Sequence, residues 1–176
     1  MSLIVAPATP ANALVSLADA TAYLSARGNA AWAALATDAL REQAIIRATD
    51  FMEAAYGLRF AGVRATTTQA LSWPRYYVPI KGAALSYYLG RPAYWPGDSV
   101  PVVVANACAE LALRAASGVD LAPDTSRLKS RTKIGPIEVD YVPGSSPLPK
   151  YTAVERMLAP FFGGSGGSMN VQVVRS

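Results

Sequence analysis

The stretch from Ser99 to Gly118, SVPVVVANACAELALRAASG, constrains the fold most. Pro101 in its first turn and Gly118 just past its end are the usual asymmetry of the two ends of a helix. Its strongly polar interior residues, Asn106, Glu110 and Arg114, recur every four positions and form one narrow stripe. The remaining faces are apolar, so such a helix is buried on nearly all sides. Ala105, Ala107, Ala109, Ala112, Ala115 and Ala116 are small enough to let neighbouring helices approach closely. Glu110 and Arg114 have two readings: a helical i,i+4 pair, or, with Asn106, part of a subunit interface in which another copy helps to cover this helix.

The residues around it supply a bundle. The first fifteen carry two prolines and no periodicity, which predicts an extended N-terminal arm over 1–15. Ser16 then opens a helix with a capping box, SLAD, in which Asp19 follows three residues after the serine, and Gly28 ends it. Asn29 to Leu35 reads as a short turn or helix carrying Trp32. Thr37 or Asp38 caps a long helix ending near Gly57, with Leu40, Ala44, Ile45, Ala48, Phe51, Met52 and Ala55 on one face. A short closing helix is predicted over Thr152–Phe162.

Two segments break the helical pattern. From Leu58 to Ser99 no period holds, and prolines and glycines punctuate the run; a loop this long in a small domain is unusual and tends to carry function. Inside it lies QALSWPRYYVPIKG, with Trp73, Arg75, Tyr76 and Tyr77. Aromatics interleaved with cations serve either to pin a loop to the core or to stack bases of a single-stranded nucleic acid. The second segment changes period to two: Leu128–Ile134 and Ile137–Val142 predict a β-hairpin about Gly135-Pro136 within residues 127–142. Its first strand carries Arg127, Lys129, Arg131 and Lys133, either as guards of a strand edge or as contacts to phosphates or an acidic partner. Glu138 and Asp140 on the second strand make cross-strand ion pairs available. Beyond the helical body at 16–162, a glycine-rich hinge leads from 163 to a tail ending in Met169, Val171, Val173, Val174 and Arg175, a β-prone segment suited to docking on a partner. The fold class is therefore mainly α: a small helical bundle with a β-hairpin, a long non-regular loop and extended terminal arms.

Composition narrows the function. At 52% hydrophobic and 16% charged, the chain has enough apolar residues for a real core. It contains no histidine and only Cys108, which removes His-based nucleophile pairs, His-ligated metals and an internal disulfide. No phosphate-binding glycine motif and no acidic cluster occurs. No enzyme activity, cofactor or metal is expected. No apolar run is long enough to span a membrane, and the first fifteen residues lack the basic start of a signal peptide, so a cytosolic site of synthesis is expected. The net charge of +4, with 12 arginines among 16 cations, permits contact with nucleic acid without demanding it.

Taken in order, SLADATAYLSARGNAAW, IIRATDFMEAAYGLRFAGVR, QALSWPR, ANACAELALRA and IGPIEVDYV resemble a set of tailed-phage proteins over about Ala13 to Phe162. These are often described as "DnaT-like single-stranded DNA-binding", while neck architecture identifies them as head–tail adaptors, also called connector or head-completion proteins. The resemblance implies a virion protein that forms a homo-oligomeric ring, commonly a dodecamer, under the portal protein. It implies further a downstream neck or tail protein as partner, transient non-specific contact with genomic double-stranded DNA, and assembly in the host cytoplasm. On that reading the tail docks on the portal, and Arg127, Lys129, Arg131, Lys133, Trp73 and Arg75 face a DNA channel or a partner. The alternative is a single-stranded DNA-binding accessory protein using Trp73, Tyr76, Tyr77 and the basic hairpin. Against that alternative stand the modest charge and the lack of a run of strands of the OB type.

Overall fold

The computed structural model describes residues 2–83, 90, 93–123, 129–133, 138–141 and 149–163, the hairpin strands by their backbone. Among these, five α-helices run α1 (Leu17–Ser25), α2 (Ala30–Ala33), α3 (Asp38–Tyr56), α4 (Val102–Ala116) and α5 (Thr152–Leu158). Four strands form two antiparallel pairs, β1 (Val63–Arg64) with β2 (Arg75–Tyr76) and β3 (Lys129–Lys133) with β4 (Glu138–Tyr141). The protein is mainly helical with a small hairpin, as its sequence predicts.

Helix α4 is the axis. It packs against each of the other four helices, most extensively against α3. Val104, Ala107, Cys108, Ala109, Leu111, Ala112 and Ala115 are all buried along it. The small side chains do what their size allows: α1, α3 and α5 of the same chain come close enough to cover it. Only its first turn opens to solvent, at Val102 and Val103. Of the polar stripe, Glu110 and Arg114 form the i,i+4 pair. Arg114 donates to the Glu110 carbonyl at 2.6 Å and to its Oε2 at 3.3 Å, and the Tyr23 hydroxyl reaches Glu110 Oε1 at 3.3 Å. Asn106 is half-buried beside them on the same helix.

Local signals explain the other helices. The Ser16 hydroxyl caps α1 by accepting from the Asp19 amide at 3.0 Å, and Thr37 caps α3 by accepting from Leu40 at 3.4 Å. Gly28 takes the left-handed φ of +68° past the end of α1. On α3 the expected face is buried from Ala44 to Met52, with Ala55 half-buried and Leu40 exposed in the first turn. The closing helix is shorter than predicted: α5 stops at Leu158 and continues as a 3₁₀ turn over Ala159–Phe161, because Pro160 has no N–H for the α ladder.

The N-terminal segment is not the extended arm that its prolines suggest. It folds back on itself: Asn12 Oδ1 accepts from the Ile4 amide at 2.7 Å, and the Ala6 amide bonds the Ala13 carbonyl at 2.9 Å. Ala13, Leu14 and Val15 then enter the core. The predicted C-terminal arm, with Met169, Val171, Val173, Val174 and Arg175, lies outside the described residues, as does Arg127.

Candidate nucleic-acid interface

The described parts of the run from Leu58 to Ser99, residues 58–83 and 93–99 above all, are built onto the bundle rather than hung from it. Glu53, on α3, takes the Ser72 amide at 2.8 Å and the Ser72 hydroxyl at 2.7 Å. This fixes the entry of Trp73, which is 1% exposed. Its indole meets Phe60 and Phe161 edge-on, with centroids 5.5 and 5.8 Å away. Arg75 is 7% exposed and organises the next turn. Its guanidinium donates to the carbonyls of Ala61 (2.8 Å), Phe60 (3.1 Å), Gly62 (2.8 Å) and Ser72 (3.1 Å). Five donors in a rigid fork suit four carbonyls arranged around one point. Desolvation lowers the pKa of Arg75, with Arg64 adding to that shift and Glu53 opposing it.

These positions correct the expectation that Trp73 and Arg75 face DNA or a partner. Both are interior, one as an aromatic anchor and the other as a carbonyl clamp. The pinning reading holds for Trp73; the neighbouring tyrosines are placed differently.

Past Arg75 the chain turns outward. Tyr76 is 47% exposed, Tyr77 67% and Tyr94 45%. Their rings form a surface row, with centroids 6.3 Å apart from Tyr76 to Tyr77 and 5.7 Å from Tyr77 to Tyr94. Tyr94 is brought in by a second backbone pairing: the Ile80 amide bonds Ala93 at 2.7 Å and the Trp95 amide bonds Val78 at 2.9 Å. Val78, buried between Tyr77 and Pro79, holds this ribbon to the core. Two glycines make room. A Cβ at Gly97 would overlap the Tyr76 ring, and one at Gly62 would overlap the Tyr76 carbonyl while also forcing a side chain onto a φ of +71°.

Tyr77 itself sits at a φ of +61°, the only non-glycine with positive φ among the described residues. For a bulky residue that conformation costs roughly 1 kcal/mol or more, and it is kept where the surroundings enforce it. That backbone holds a large, mostly exposed aromatic ring against the rings of Tyr76 and Tyr94.

Cations lie around the row. Arg64 is exposed on β1, next to Val63, which pairs with Tyr76. Lys81 is exposed four residues after Tyr77. The basic hairpin has a different character. Its register sets Arg131 opposite Asp140 and Lys133 opposite Glu138, with an irregularity between Lys129 and Arg131. Among the described residues, no group of three or more His, Cys, Asp or Glu comes together as for a metal.

The geometry is that of a small helical scaffold that presents an aromatic, cation-flanked surface. The chain belongs to the family described as "Putative DnaT-like ssDNA binding protein", whose model matches residues 1–176. No curated protein and no solved structure matches the chain. The family match overturns the head–tail adaptor expectation, and with it the virion ring, the portal and the neck or tail partners. The physical reason is visible in α4. Its apolar faces, which suggested completion by other subunits, are covered by the chain's own helices.

Tyr94 was not singled out by sequence. Its signal was present, since PAYWPG places two aromatics between prolines and alternation sends one inward and one outward. What sequence does not show is the pairing of Pro79 with Tyr94 that brings it beside Tyr77.

Proposed function

We propose that this protein binds single-stranded DNA without strong sequence preference, stacking bases on Tyr76, Tyr77 and Tyr94, and that it performs no chemistry on the strand. The observation that carries this reading is the solvent-facing tyrosine row, held by a strained Tyr77 backbone, in a chain of a family described by single-stranded DNA binding. Base–aromatic stacking contributes about 1–3 kcal/mol per base and tolerates any base, because each has a π face. The net charge of +4 and pI near 9.3 favour a polyanion without the charge density of a tight electrostatic binder. Stacking therefore carries a larger share of the affinity here than phosphate contact does.

The test is fluorescence anisotropy of labelled oligo-dT at physiological salt. Wild-type protein is expected to bind saturably and to prefer the single strand over a duplex of the same length. Tyr77→Gly relieves the positive φ and removes a ring that is mostly in water, so its melting temperature stays within a few degrees of wild type. Its affinity for oligo-dT is expected to fall about tenfold, the loss of one stacked base. Equal affinity in wild type and variant would remove the tyrosine row from the account.

A further inference from the structure

The tyrosine row supplies faces for bases and leaves open where the sugar–phosphate backbone runs. A groove of about 550 Å³ lies near it, with Leu58, Arg59, Lys81 and Phe162 among its lining residues. It is joined to the row by covalent structure. Lys81 follows Tyr77 by four residues, so their Cα atoms are no more than roughly 14 Å apart. Arg59 immediately precedes Phe60, Ala61 and Gly62, whose carbonyls Arg75 clamps one residue before Tyr76. The amide of Gly163 bonds the Arg59 carbonyl at 2.9 Å and that of Ala61 bonds Phe161 at 2.8 Å, so both walls are fixed.

The groove's chemistry is that of an anion site that is partly occupied from within. Arg59 lies over the Phe162 ring at 4.2 Å and meets Glu155 Oε1 at 3.1 Å. Its side chain is about half exposed, at 48%, and such a pair is held weakly in water. The Lys81 ammonium donates to the Ala159 carbonyl at 3.3 Å, a neutral partner that leaves its charge uncompensated there. Leu58 is fully exposed on the rim, an apolar surface that a sugar or base edge can cover. Two cations, one carboxylate and an aromatic wall leave the groove net positive. An arginine freed from its carboxylate presents two parallel N–H groups to a phosphate.

We infer that this groove takes the phosphodiester backbone of the strand whose bases stack on the tyrosine row, with Arg59 and Lys81 on phosphates and Glu155 as an internal competitor for Arg59. The inference rests on the proposed single-stranded DNA binding. Glu155 weakens binding, and its effect is felt most at low salt, where phosphate attraction is strongest.

The experiment is the salt dependence of oligo-dT affinity for wild type, Arg59→Gln, Lys81→Gln and Glu155→Gln, with thermal melts as folding controls. Each lost phosphate contact should reduce the slope of log affinity against log salt by about 0.7. Arg59→Gln and Lys81→Gln are expected to show that reduction with a few-fold loss of affinity. Glu155→Gln is expected to bind a few-fold tighter, a gain that misfolding cannot mimic. Wild-type binding with unchanged affinity and slope in all three variants overturns the groove while the stacking row stands. A wild-type protein that binds no oligo-dT overturns both.

Discussion

Tyr77 and Cys108 show how differently one side chain can sit in this molecule. Tyr77 spends backbone strain to face water, whereas Cys108 is fully buried in α4, 3.4 Å from the Thr49 hydroxyl. Desolvation pushes the Cys108 thiol from 9.0 up to about 12, only partly opposed by the hydrogen bond between it and Thr49 and by the backbone at Leu14. In the unfolded chain the thiol ionises near its ordinary value, while in the folded chain it stays protonated. Above about pH 9 the unfolded state therefore holds fewer protons than the native state, and stability falls as pH rises towards 12. Burial raises Tyr23, Tyr56 and Tyr151 as well, which adds loss of the same sign above pH 10. Denaturant midpoints should accordingly decline from pH 9 upward, and the decline should be shallower in Cys108→Ala. Native protein at pH 8 should leave a thiol reagent unconsumed until denaturant is added; prompt reaction would mean that α4 is not packed as described.

At the scale of elements, the loop between α3 and α4 depends on Arg75 more than on any strand. Its β1–β2 ladder is two residues long, too short to be stable alone. Four carbonyls converge on one guanidinium, and lysine cannot reproduce that fork. Arg75→Lys should cost about 2–4 kcal/mol through carbonyls left unsatisfied, or roughly 5–15 °C in melting temperature. Thermal unfolding followed by circular dichroism reads this, and a shift below about 2 °C would show that the clamp is dispensable. Helices were legible in the sequence because their signals are local: SLAD for α1, Thr37 for α3, and small apolar residues on every face of α4 but its one polar stripe. The hairpin was legible from the alternation of IEVDYV. The loop was not, because its order comes from contacts distant in sequence, such as Glu53 with Ser72 and Phe60 with Phe162. The same gap explains the site. Aromatics and cations in QALSWPRYYVPIKG were evident, but only tertiary contacts sort Trp73 and Arg75 inward and Tyr76 and Tyr77 outward.

For the molecule as a whole, the helical bundle supports the described part of the long loop, which carries the proposed binding surface. Helix α4 gathers the other helices, and α3 extends a carboxylate, Glu53, that seats the loop. The loop then turns three tyrosines to one surface, and Arg59 and Lys81 line the groove proposed for the backbone of the strand. The central claim is that single-stranded DNA lies on this surface. The most direct measurement is photocrosslinking of oligo-dT carrying 5-iodo-deoxyuridine, followed by mass spectrometry of the crosslinked peptides. Crosslinks confined to Tyr76, Tyr77 and Tyr94 are the expected result. Crosslinks on the β3–β4 hairpin with none on the tyrosines, or no crosslink at a concentration where the oligonucleotide is bound, would contradict the claim.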